Sequence, residues 1–116
     1  MKKSIVSIIA FAAPLMVTLS AHAADVKAAD TEYVITLKDQ QFTPKDLVIP
    51  AGEKVKITVK NADARAAEFE SHDLNREKII AAGGEVKVFV GPLKAGTYTY
   101  FDEFNEDKAR GTITAK

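Results

Sequence analysis

The residues from Glu32 onward predict an all-β fold, a Greek-key β-sandwich of seven or eight short strands. Three observations lead there. Apolar residues recur at every second position in short runs, such as Tyr33, Ile35 and Leu37 or Val55, Ile57 and Val59. Gly, Pro and Asn cluster between the runs and end them. No stretch shows the three-to-four-residue apolar spacing of an amphipathic helix. Many short strands with closely spaced turns pack as two facing sheets.

Taken in order, the chain begins with Lys2 and Lys3, an apolar run from Ile5 to Leu19, and Ala21-His22-Ala23. This is the layout of a cleavable secretory signal peptide over residues 1–23. Pro14 and the shortness of the run argue against a membrane anchor, and no later segment is apolar enough to span a bilayer. A periplasmic location follows as the expectation. Residues 24–31 are small and polar, a disordered leader. Residues 32–116 are enough for one domain with one core.

The first strand is Tyr33 to Lys38, followed by a turn from Gln40 to Pro44 and a short extended piece at Leu47-Val48-Ile49. Pro50 to Glu53 is a turn. Val55, Ile57 and Val59 give the next strand a dry face, and Lys54, Lys56 and Lys60 give it a wet one. Asn61 to Ala67 reads as a loop, Glu68 to Ser71 as a brief strand, and Glu77 to Ile80 as an edge strand. Val86, Val88 and Val90 face inward on a further strand. The chain is organised around Gly96 to Gly111, where a strand with Tyr98 and Tyr100 on one face breaks after Phe101 into an acidic loop. A last strand runs from Thr112 to Ala115.

Composition removes several functions. The 16 basic and 16 acidic residues leave no basic excess, so nucleic acid is not an expected partner. There is no cysteine, which excludes disulfides, thiol catalysis and zinc–thiolate sites. Ser71 is the one serine beyond the signal segment, and strand alternation turns it away from neighbouring His72. Hydrolase chemistry therefore has no nucleophile–base pair, and no glycine-rich phosphate loop is present.

Two stretches carry candidate metal chemistry. The loop after Phe101 holds Asp102, Glu103, Asn105, Glu106 and Asp107, and carboxylates at a strand end suit iron, manganese, calcium or copper(II). Acidic runs are also the usual dress of a solvated loop. Glu68, Glu70 and His72 share one face if their stretch is extended, with Phe69 on the core side. Lys54, Lys56, Lys60, Lys78 and Lys87 take outward strand positions, a solubilising and edge-protecting face that also offers a docking surface.

Several stretches then coincide: Asp39 to Pro44 before VIPAGEKVKITVKN, a loop with Glu68-Phe69-Glu70, a Gly-Gly turn, LKAGTYTY, and RGTITAK. In this order, over Glu32 to Lys116, they resemble a small periplasmic cupredoxin. The resemblance implies a site of cysteine, two histidines and methionine in a blue-copper member. Here Asp102 stands where the cysteine is expected, Asn105 where one histidine is, Lys108 or Ala109 near the methionine, and Ala67 or Glu68 at the first histidine. A type 1 blue-copper centre is therefore not expected.

With those departures, AEFESHDLNREKII and VFVGPLKAGTYTYFDEF are similar to the cupredoxin-like proteins of bacterial iron-uptake systems, the Ftr type and the cupredoxin domain of the Efe type. The resemblance implies an iron or copper ion held by Glu68 and Asp102. It also implies work beside an iron permease and other exported subunits, with assistance to ferrous iron oxidation as one role. Phe42 falls where some Efe-type members have a cysteine ligand. Glu70, His72, Glu103, Asn105 and Glu106 join the candidates by proximity and chemistry. The alternative is a metal-free interaction module that docks on a permease or partner subunit.

Overall fold

The computed structural model describes residues 31–116, so the signal segment and nearly all of the leader lie outside the described residues. Nine strands form: β1 (Tyr33–Lys38), β2 (Gln41–Thr43), β3 (Asp46–Ile49), β4 (Val55–Asn61), β5 (Ala67–Ser71), β6 (Arg76–Ile80), β7 (Glu85–Val90), β8 (Gly96–Asp102) and β9 (Arg110–Ala115). The one helical piece among the described residues is a 3-10 turn, Glu103–Asn105.

Two mixed sheets result, β2-β1-β4-β7 and β3-β9-β8-β5-β6. β1 runs parallel to β4 and β3 parallel to β9, while the remaining pairs are antiparallel. The chain thus leaves the first sheet after β2, enters the second with β3, and returns with β4. That crossing is what a Greek-key sandwich requires.

The period-two pattern places the core where alternation puts it. Ile35, Leu37, Val55, Ile57, Val59, Val88 and Val90 from one sheet meet Leu47, Ile49, Phe69, Tyr100 and Ile113 from the other, all buried. At the centre the Phe69 ring stacks on Tyr100 at 5.0 Å, and Phe42 meets Tyr100 edge-on at 4.9 Å. Gly111 lies opposite Tyr100 in the β8–β9 register, where an added Cβ would strike the Tyr100 hydroxyl. Only glycine lets this ring reach its place.

The strand count exceeds the expected seven or eight because Gln41–Thr43 is a strand, not part of a turn. It pairs with β1 through a two-residue connection, Asp39-Gln40, with φ of 50° and 62°. Positive φ at both positions matches the twist of a tight hairpin. The cost at two non-glycine residues is offset by Asp63, whose carboxylate accepts the Asp39 and Gln40 amides at 2.6 and 2.9 Å. A partner 23 residues away is invisible to local pattern. Boundaries shift elsewhere too: Asn61 ends β4, Ala67 and Arg76 begin β5 and β6, and the last strand starts at Arg110.

Candidate metal centre

β5 lies between β8 and β6, so it is an interior strand with both edges paired. Its inward face carries Ala67, Phe69 and Ser71. Its outward face carries Glu68 and Glu70, a direct consequence of alternation. Ser71 is structural: its hydroxyl donates to the Thr99 carbonyl at 2.7 Å and accepts the Leu74 amide at 3.1 Å.

Across the β5–β6 hairpin Glu77 sits directly opposite Glu70. Like charges directly opposite in a ladder are unfavourable, so this pairing needs another compensation. A third element closes the group from above. β8 ends at Asp102, and the 3-10 turn that follows swings Glu103 over β5. Glu68, Glu70, Glu77 and Glu103 each bring a carboxylate oxygen to within 4.8 Å of the others. Glu68 is 6% exposed, Glu70 half-buried, and Glu77 and Glu103 exposed.

Asp102 is what fixes this arrangement. Its Oδ1 accepts the Glu68 amide at 2.9 Å and the Phe104 amide at 3.0 Å. One oxygen therefore caps the 3-10 turn and pins it to the start of β5. Asp102 is itself buried, and its backbone amide donates to the Ala109 carbonyl at 2.9 Å.

The electrostatics follow from four carboxylates with little to neutralise them. Glu68 is pushed up to about 7, first by hydrogen bonding with the Glu77 carboxyl, then by burial, then by Glu103. Glu70 is also raised, by burial first and by the charges of Glu77 and Glu103, with His72 opposing. Among the described residues no Lys or Arg pairs with any of the four; the ion pairs with lysine or arginine are Lys87–Glu85 and Arg110–Glu106. Glu70 Oε2 is enclosed and has no hydrogen-bond partner. Oxygen-only donors in this number suit hard or borderline cations.

The structure brings together Glu68, Glu70 and Glu103 from the residues singled out in the sequence, and adds Glu77. The centre lies on the outer face of the five-stranded sheet, with Asp102 beside it as a clamp. His72 stands at the rim, 79% exposed at the side chain, with Nδ1 at 3.5 Å from Glu70 Oε1. Glu106 turns away to Arg110 at 3.1 Å, and Arg110 covers the Phe101 ring at 5.7 Å. Asn105 accepts the Lys108 and Ala109 amides on its carbonyl, while its side-chain nitrogen is buried without a partner. Phe42 is core, and Ala109 is fully buried. Glu77 was missed because it is seven residues from Glu70. Drawing the hairpin register with two glutamates opposed would have found it.

A family model described as the cupredoxin-like domain matches residues 7–115. An uncharacterized protein of Rickettsia prowazekii (strain Madrid E) is 42% identical over 82 residues, covering 71% of this chain and 66% of that protein. The chain thus spans just under two thirds of that relative's length. Among solved structures, auracyanin A, a "blue" copper protein of Chloroflexus aurantiacus, superposes with a TM-score of 0.64 at 16% identity, over 74% of this chain and 98% of that one. The metal-binding domain of the Cu(I)-exporting P-type ATPase of Streptococcus pneumoniae D39, solved with Cu(I), gives 0.62 at 16% identity, over 73% and 84%. A purple cupredoxin of Nitrosopumilus maritimus gives 0.57 at 20%, over 72% and 99%. At these identities the likeness is one of fold.

Proposed function

The chain belongs to the cupredoxin-like domain family, and on that premise we propose that it is a periplasmic metal-binding protein of a bacterial iron-transport system. It holds an iron or copper ion through Glu68, Glu70, Glu77 and Glu103. The observation that carries this reading is the convergence of four carboxylates within 4.8 Å around a nearly buried Glu68, with no lysine or arginine among them. Such a group stores mutual repulsion that a bound cation removes. The absence of cysteine keeps the centre outside type 1 blue-copper chemistry.

The export reading rests on residues 1–23, and the partners are an iron permease and other exported subunits. Oxygen donors favour ferric over ferrous iron, so the centre assists ferrous oxidation when another component accepts the electron. Calorimetric titration with copper(II), and separately with ferric iron delivered as a weak chelate, tests the assignment. One saturable site is expected in the parent chain and none in the Glu68→Gln, Glu77→Gln double variant. Unchanged binding in the folded double variant overturns it.

A second reading, a metal-free docking module, is favoured by the opposite face. Phe89 is 54% exposed on β7 and lies across from Lys56, with Lys87 and Lys60 on the same outer face. Charge reversal at Lys56 and Lys60 that abolishes partner binding, with metals changing nothing, decides for it.

A further inference from the structure

The oxygen cluster has a nitrogen donor at its edge, on the turn that joins β5 to β6. His72 is the first residue past β5, at the start of the turn that leads to β6, where its carbonyl accepts the Asn75 amide at 3.2 Å. The residues flanking it are both tied to β8. Ser71 Oγ donates to the Thr99 carbonyl, and the Asp73 carboxylate accepts the Thr99 amide at 2.8 Å and its hydroxyl at 2.9 Å. The backbone at His72 is therefore anchored on both sides while its ring stays open to solvent.

The ring makes two contacts of note. It tilts against Phe101 at 5.4 Å, and Nδ1 approaches Glu70 Oε1 at 3.5 Å. A cleft of about 280 Å³ lined by Glu70, His72, Asn75, Arg76 and Glu77 opens beside it. Arg76 lines the cleft but pairs with none of the carboxylates; its Nε donates to the Phe89 carbonyl and its Nη1 to the Leu74 and Asn75 carbonyls. Beneath lies Glu68, more than nine-tenths buried, with the Glu77 and Glu103 carboxyls beside its own.

We infer that His72 is a metal ligand together with Glu70 and Glu77, and that it makes the centre a copper(II) site of mixed nitrogen and oxygen donors. The inference rests on the metal-binding reading and specifies its cation. Imidazole suits copper, and copper(II) leads the divalent series at nitrogen–oxygen sites, whereas manganese(II) is content with carboxylates. His72 stands outside the four-carboxylate group in this structure, and its exposed ring must turn to join Glu70 and Glu77 on a shared ion. Without His72 the same carboxylates bind cations by charge alone.

The test adds one equivalent of copper(II) to the full chain and records its electron paramagnetic resonance spectrum and affinity, with manganese(II) titrated in parallel. Hyperfine coupling to one imidazole nitrogen is expected in the parent. In His72→Gln that coupling disappears and copper(II) affinity falls about tenfold or more, while manganese(II) affinity moves by less than about twofold. A nitrogen-free copper spectrum in the parent overturns the inference and leaves the oxygen site standing. Nitrogen coupling that survives in folded His72→Gln also overturns it. Failure of the parent to bind either metal overturns the underlying reading as well.

Discussion

The two faces of β5 are nearly equally dry and chemically opposite. Phe69, fully buried, stacks on Tyr100 inside the sandwich; Glu68, one residue earlier and 6% exposed, meets the Glu77 and Glu103 carboxyls outside it. Burial on the inner face is favourable in itself, since apolar surface leaves water. Burial on the outer face is favourable only with a proton or a cation in place, because an ionised carboxylate out of water needs a partner. One strand thus carries the stability of the fold on one side and a ligand-dependent group on the other.

The largest break in this contrast comes from the inner face. Phe69→Ala removes a ring from the Phe42–Tyr100–Phe69 stack and should cost about 3–5 kcal/mol in urea unfolding. Metal affinity per folded molecule is expected to stay near the parent value. A loss of under about 1 kcal/mol would mean that the aromatic stack is not the centre of the core.

Asp102→Ala sits between the two faces. It strips a buried acceptor from the Glu68 and Phe104 amides, and a cost of about 1–3 kcal/mol follows from an unsatisfied buried amide and a lost cap. Metal binding should weaken as well, because Glu103 is no longer held over β5. Asp102→Asn keeps an acceptor oxygen and should recover most of both losses. Equal damage from Asn and Ala would instead mark the Asp102 charge as a direct ligand.

The outer face is sharpened by pH. Glu68 in the fold is raised to about 7 from the ordinary 4.5. The native state therefore holds a proton that the unfolded chain releases between those values. Its contribution is fully present below about 4.5 and is lost as pH rises through about 7. Asp46 and Asp73 act in the opposite sense at lower pH, lowered by hydrogen bonds from Thr112 and Thr114 and from the Thr99 amide and hydroxyl respectively. Their contribution is present above the unfolded carboxylate range and lost on acidification. Thermal melts of the metal-stripped protein should peak near pH 4–5 and decline towards pH 8. Glu68→Gln should flatten the decline. A parent profile already flat from pH 5 to 8 speaks against a proton shared in the cluster.

The smallest effect belongs to Glu106. Its contact with Arg110 is an exposed pair, and such pairs contribute little. Glu106→Gln should change stability by no more than about 0.5 kcal/mol and leave copper(II) binding untouched. Weakened binding would return Glu106 to the metal centre.

Period-two runs such as Val55-Ile57-Val59 and Val86-Val88-Val90, with glycine and proline between them, were sufficient in the sequence to specify an all-β sandwich and most of its inward positions. Local sterics and burial act over a few residues, so a linear pattern records them. The same pattern placed Glu68 and Glu70 together, since neighbours two apart share a face. It did not show β2, whose turn is held by Asp63 from 23 residues away. Nor did it show Glu77, which meets Glu70 only through hairpin register, or the turn of Asp102 from candidate ligand to clamp. Those outcomes depend on which groups three strands and a 3-10 turn bring within a few ångströms. That is a property of hydrogen-bond register and packing, which only the tertiary structure decides.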